Sequence, residues 1–195
     1  MRAACAVLAS AALAGAVWAG EMVGVPGGTA QFVAVMETMS GTTPMKLNLT
    51  GVAMRTKLIL NIYAIGSYAQ EGCKAKTAEE LAAADCVKRL HLVMERTVDG
   101  KDLGEAFRSA VRLNHPEPEF KEEVNTLAQY MRTTSLRKGE HLYLTHAPGL
   151  GLHISVAGKA DFLIKNPKFS QAVWEIYLGK KNIGEQIKTG LASRL

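Results

Sequence analysis

Arg55 and Lys57 stand two residues apart, just ahead of the strand-like run 58–68 (LILNIYAIGSY). Alternation along that run puts Ile59, Asn61, Tyr63 and Ile65 on one side. A cation at the edge of an apolar surface suits a ligand with an acidic head and a greasy body. The planar fork of Arg55 matches a carboxylate or phenolate with two parallel hydrogen bonds. The same pattern also describes a hairpin whose turn carries solvated charges and whose Tyr63 fills core. From Arg55 to Tyr63 the chain would span roughly 26 Å if straight, at ~3.3 Å per residue. The two side chains meet at one ligand only if the chain turns near Thr56-Lys57.

Other reactive groups form no catalytic pattern. There is no GxSxG, P-loop, HExxH, or GxGxxG after a strand. No catalytic residue is therefore assigned, and no cofactor is expected. His146 and His153 flank a hairpin loop and can approach each other, but two histidines without a cysteine or carboxylate make a poor metal site. No metal is expected. Glu79-Glu80 and Glu122-Glu123 are adjacent pairs on helical segments, so their side chains diverge and suit solvation. Of three cysteines, Cys5 lies in the N-terminal apolar stretch, leaving Cys73 and Cys86, 13 residues apart. In an oxidising compartment the pair reads as a disulfide; the alternative is two unpaired thiols.

The elements that must hold these groups can be read from periodicity. Strands are expected over 31–36, 45–50, 58–68, 89–97, 141–145, 152–156 and 161–164. Thr77-Ala78-Glu79-Glu80 is a capping box opening a short helix. Leu103, Phe107, Ala110 and Val111, then Val124, Leu127, Ala128 and Met131, give two amphipathic helices broken at Asn114-His115-Pro116. Asn166-Pro167 starts a further helix whose Phe169, Val173, Ile176 and Tyr177 face inward. There Trp174 and Tyr177 read as packing residues. A last helix covers about 183–191. The order predicts an α+β fold, a mainly antiparallel sheet with helices packed on one side.

Residues 3–20 carry no charge after Arg2 and end in small residues, as a secretory signal does. Cleavage is expected after Ala19, leaving one domain over 20–195 that is periplasmic or secreted. The stretch is too short and alanine-rich for a stable membrane span. Net charge is +5, with 23 Lys+Arg against 18 Asp+Glu, spread without a dense basic block, and aromatics make up 6%. That excludes a nucleic-acid arm and a base-stacking platform.

The segments Gly51/Arg55/Lys57, 63–68 (YAIGSY), 96–107 (RTVDGKDLGEAF), the Lys138-Gly139 turn and 166–179 (NPKFSQAVWEIYLG) together resemble the chalcone isomerase family, in its bacterial exported chalcone isomerase-like branch. The resemblance covers about 47–191. It implies an open-faced β-sandwich, a large antiparallel sheet with a helical layer on one face and a ligand cleft between them. It also implies one of two activities. Catalytic members close a chalcone into a flavanone; related non-catalytic members hold a fatty-acid carboxylate with an Arg and a Tyr. Arg55 matches the family Arg, and Tyr63 stands where the enzymes carry Thr, which points to the fatty-acid-binding type. The implied partner is a small apolar carboxylate or phenolate held by Arg55 and Tyr63, with a chalcone-type isomerase as the alternative.

Overall fold

The structure, a computed structural model, describes residues 20–40, 43–159 and 161–195; the expected signal segment, 1–19, lies outside them. A small hairpin, β1 (Met22–Gly24) and β2 (Gln31–Val33), precedes a seven-stranded sheet. The sheet takes its strands in chain order, every neighbour antiparallel: β3 (Val35–Ser40), β4 (Thr43–Lys57), β5 (Leu60–Gln70), β6 (Lys88–Met94), β7 (His141–Ala147), β8 (Gly151–Val156) and β9 (Phe162–Ile164). Between and after these strands come α1 (Ala78–Ala83), α2 (Gly100–Val111), α3 (Lys121–Arg132), α4 (Pro167–Leu178) and α5 (Glu185–Leu191). The helices pack on one face, as the element order predicts. The segment expected as one strand over 31–36 is split between β2 and β3.

Two cores sandwich the sheet. Ile65, Leu90, Leu92, Leu142, Leu144, Leu152 and Ile154 meet Leu103, Phe107, Leu127, Met131, Phe169 and Trp174 on the helix side. On the other side Val25 and Phe32 of the small hairpin cover Leu47, Leu49, Ala64 and Tyr68. β5 therefore feeds both cores by strict alternation, and its residues 63–69 are all buried.

β4 is longer than the expected 45–50, because Gly51 marks a bulge and not a strand end. The register with β5 slips between Leu49 and Gly51, and an extra residue exchanges the two faces of a strand. Leu47 and Leu49 face the small hairpin, whereas Ala53 faces the helices. Arg55, sharing Ala53's parity, turns to the helix side as well. α5 docks on the bulge. The Thr50 hydroxyl lies 2.9 Å from the Leu191 carbonyl and 2.8 Å from Ser67 Oγ. Gly51 has φ 155°, and a Cβ there would fall on the Gly190 carbonyl. Gly51→Ala should destabilise by roughly 1–3 kcal/mol through overpacking. A thermal melt checks this; an unchanged midpoint would mean that α5 shifts freely.

Local signals explain the helix starts. Thr77 Oγ1 accepts from the Glu80 amide at 3.1 Å, while Glu80 reaches back to the Lys76 amide at 2.8 Å, one residue earlier than a standard capping box. Asn166 Oδ1 accepts from the Phe169 amide at 3.1 Å ahead of Pro167.

Cys73 and Cys86 flank α1 and are joined, with Cα atoms 6.2 Å apart. A loop of that size contributes roughly 3 kcal/mol in the chain-entropy model. Free-thiol labelling of unreduced, denatured protein should leave both unlabelled, and reduction should lower the melting midpoint by roughly 6–12 °C. Two labelled thiols would show that the protein carries no bridge.

Candidate functional site

The β4–β5 hairpin turns at Leu58-Ile59, two residues later than the turn sought at Thr56-Lys57, and folds Arg55 directly opposite Tyr63. Leu58 and Ile59, expected as the start of the strand, are instead the turn. Cross-strand partners have Cβ atoms about 4.5–5.5 Å apart, so the two sequence-predicted residues stand side by side on the helix face.

Each finds a partner from the helical layer. Arg55 Nη1 donates to the Ile183 carbonyl at 2.7 Å. The Tyr63 hydroxyl lies 3.2 Å from that of Tyr177 on α4. Both Tyr side chains are buried, while Arg55 is half-buried. Around them the wall is apolar: Met94 pairs with Tyr63 across β6, and Ala53, Ile183 and Ile187 lie in the same core.

Burial pushes the Tyr63 phenol up, with the Tyr177 hydrogen bond and the Arg55 charge pulling part of the way back. Burial, then the Tyr63 neighbour, hold Tyr177 well above the usual phenol range. Both hydroxyls are therefore protonated at neutral pH. Such a pair donates hydrogen bonds and makes a poor proton acceptor. The constellation is one fixed cation beside a hydrogen-bonded pair of neutral phenols that keeps one O–H to donate, facing an apolar seam, which suits an anion.

Tyr177 escaped the sequence reading as a polar group, since its spacing from Trp174 describes packing. Its one signal is being Tyr and not Phe in a buried stripe, where the hydroxyl needs a partner. Ile183 contributes a backbone atom and leaves no sequence signal.

In this conformation Tyr63 and Tyr177 are shut off from solvent, and Arg55 stands at the seam's half-open edge. Two shallow surface hollows exist, one edged by Glu37, Lys46 and Glu71, the other by Asn125, Tyr130 and Phe162. Neither is lined by Arg55, Tyr63 or Tyr177.

Other polar clusters are accounted for structurally. His146 Nδ1 lies 2.9 Å from Ser170 Oγ, and Nε2 lies 3.2 Å from Asp85 Oδ1. The order imitates a hydrolytic triad, but Ser170 is fully buried and meets no substrate; the trio ties α4 and β7 to the loop after α1. His153 faces the opposite way and pairs with Asp161 at 3.2 Å, so His146 and His153 form no joint site. Burial, with His141 and Arg89 nearby, pushes His91 down to about 3. Among the described residues no group of three or more His, Cys, Asp or Glu could hold a metal ion, and no helix is long and apolar enough to cross a membrane.

A family profile described as chalcone isomerase-like matches residues 29–192. Among solved structures, the fatty-acid binding protein AtFAP1 of Arabidopsis thaliana superposes with a TM-score of 0.67 at 18% identity, covering 88% of this chain and 96% of that one. No curated protein matches by sequence.

Proposed function

The chain belongs to the chalcone isomerase-like family, and on that premise we propose that it binds a fatty acid or similar small apolar anion without transforming it. The observation that carries this reading is Arg55 opposite Tyr63, with Tyr177 as a second protonated phenol over an apolar seam. Arg55 takes the carboxylate, which replaces the Ile183 carbonyl as its acceptor; the Tyr63–Tyr177 pair supplies the one phenol proton not spent within it; the alkyl body displaces apolar contacts between β4, β5 and α5. The likeness to a protein named as a fatty-acid binder supports the ligand class.

Native mass spectrometry of protein purified from cells tests this, beside calorimetric titration with laurate. A co-purifying acyl chain and a saturable heat are expected. Absence of both overturns the reading. Loss of chalcone absorbance faster than in a protein-free control would favour the isomerase instead.

We also propose export. The uncharged 3–20 stretch supports removal of residues 1–19. Intact mass of protein recovered from the periplasm should begin at Gly20; retention of residues 1–19 would sink this reading.

A further inference from the structure

The tip of the β4–β5 hairpin breaks the usual rules for a surface turn. Leu58 and Ile59 are 93% and 92% exposed, and Leu60 beside them is 50% exposed. Two-residue hairpin turns favour Asn, Asp or Gly, because their residues adopt positive φ. Leu58 sits at φ 57°, a conformation that disfavours an apolar side chain. Three consecutive exposed apolar residues help neither folding nor solubility. None of the described residues covers them.

The tip also stands clear of the sheet. β6 ends at Met94, opposite Tyr63; just beyond it the Glu95 amide donates to the Ile62 carbonyl at 3.0 Å and Asn61 Nδ2 donates to the Gly27 carbonyl at 2.9 Å, so the part that projects past these ties is Leu58–Leu60. At its base lie exposed cations: Lys57 next to the turn, Arg96 just past β6, and Arg137 and Lys138 in the turn whose Gly139 amide donates to the Met94 carbonyl at 2.7 Å. None of the four is within ion-pair distance of a carboxylate among the described residues. Glu95 and Glu140 are the acidic neighbours, and Glu140 is engaged by the Arg137 amide at 2.9 Å.

The geometry points to a membrane-docking tip: Leu58, Ile59 and Leu60 enter the interfacial layer of an anionic bilayer while Lys57, Arg96, Arg137 and Lys138 rest on its phosphates. An apolar point inside a basic collar is what such a surface selects. It needs no matching groove, only apolar depth and negative charge. The tip begins three residues beyond Arg55, so docking holds the Arg55–Tyr63 pair close to the bilayer surface. This inference stands on the tip's exposure, conformation and charge, and does not depend on the ligand reading.

Co-sedimentation of the purified protein with vesicles tests it. Vesicles of phosphatidylcholine containing phosphatidylglycerol should carry the protein down, with weaker binding in pure phosphatidylcholine and in high salt. Leu58→Asn/Ile59→Gly gives the turn its preferred residues while removing two apolar side chains. That double variant should lose roughly a hundredfold in partitioning and keep or raise its melting temperature. Lys57→Gln/Arg96→Gln should lose about fivefold per cation. Equal vesicle binding by wild type and the Leu58/Ile59 double variant, or none by wild type, overturns the proposal. So does a tip-dependent dimer in size-exclusion chromatography without vesicle binding, which would assign the tip to a second copy. Laurate titration of the same double variant should be unchanged and reports the ligand reading separately.

Discussion

Arg55→Ala should weaken laurate binding about 10- to 150-fold, the loss expected when one charge-assisted hydrogen bond of roughly 1.5–3 kcal/mol disappears. Arg55 is the cation of the seam, and its acceptor there is one backbone carbonyl, that of Ile183. A carboxylate competes well for that position because it brings a full negative charge and two oxygens. Arg55→Lys should recover part of the loss, since a point charge replaces the planar fork. Tyr63→Phe and Tyr177→Phe each remove one neutral hydrogen bond and should cost about 0.5–1.5 kcal/mol. Calorimetric titration beside a thermal melt of each variant separates the two roles of Arg55. Unchanged affinity in Arg55→Ala removes it from the site. A collapsed melting temperature assigns it instead to tethering the segment between α4 and α5.

The stability of the protein should rise between about pH 7 and pH 10, and Lys88→Met should abolish that rise. Lys88 has no exposed surface, and its ammonium donates to the Leu81 and Ala82 carbonyls at 2.8 and 2.6 Å, 5.5 Å from the Trp174 ring centroid. α1 has no basic residue of its own in its last turn, so the strand supplies the cation that the helix C-terminus favours. Burial pushes Lys88 down to about 7, against the upward pull of Asp85 and Glu175. The unfolded chain, with an ordinary Lys, then holds more protons than the folded one from pH 7 to about 10. Stability therefore climbs with pH through that window, by on the order of 1 kcal/mol per unit and several in all. The buried phenols work the other way only above about pH 10, where unfolded Tyr begins to ionise. Urea unfolding across that pH range, wild type against Lys88→Met, measures it. Parallel curves for the two proteins would show that Lys88 titrates normally.

Much of this architecture was legible because its signals are local. Thr77, Asn166 and Pro167 state helix starts, and the Leu90, Leu92, Met94 alternation states a strand and its inner face. What escaped depends on partners distant in sequence. Lys88 heads that same inner stripe, yet a lysine reads as solvent-facing until α1 arrives to bond it. Gly51 reads as a strand end, and only docking by α5 explains a bulge there. The pairing of Arg55 with Tyr63 was hidden for a related reason. Its turn is Leu-Ile, where sequence rules look for Asn or Gly, so the hairpin carries no punctuation. Tyr177 packs as its spacing requires, and its hydroxyl acquires meaning only from Tyr63, 114 residues away.

The bond between Arg55 and the Ile183 carbonyl has a kinetic consequence. If the seam takes an anion as proposed, a carboxylate that needs both prongs of the Arg55 fork seats fully only after the bond to the Ile183 carbonyl parts. Apparent affinity is then the intrinsic affinity multiplied by the fraction of molecules caught open. In a rapid-mixing experiment the observed rate should level off as ligand concentration rises, at a ceiling set by opening and independent of chain length. Dissociation runs the same path backwards. On that reading, the Ile183 carbonyl would compete with a bound carboxylate for the same fork and so favour its release.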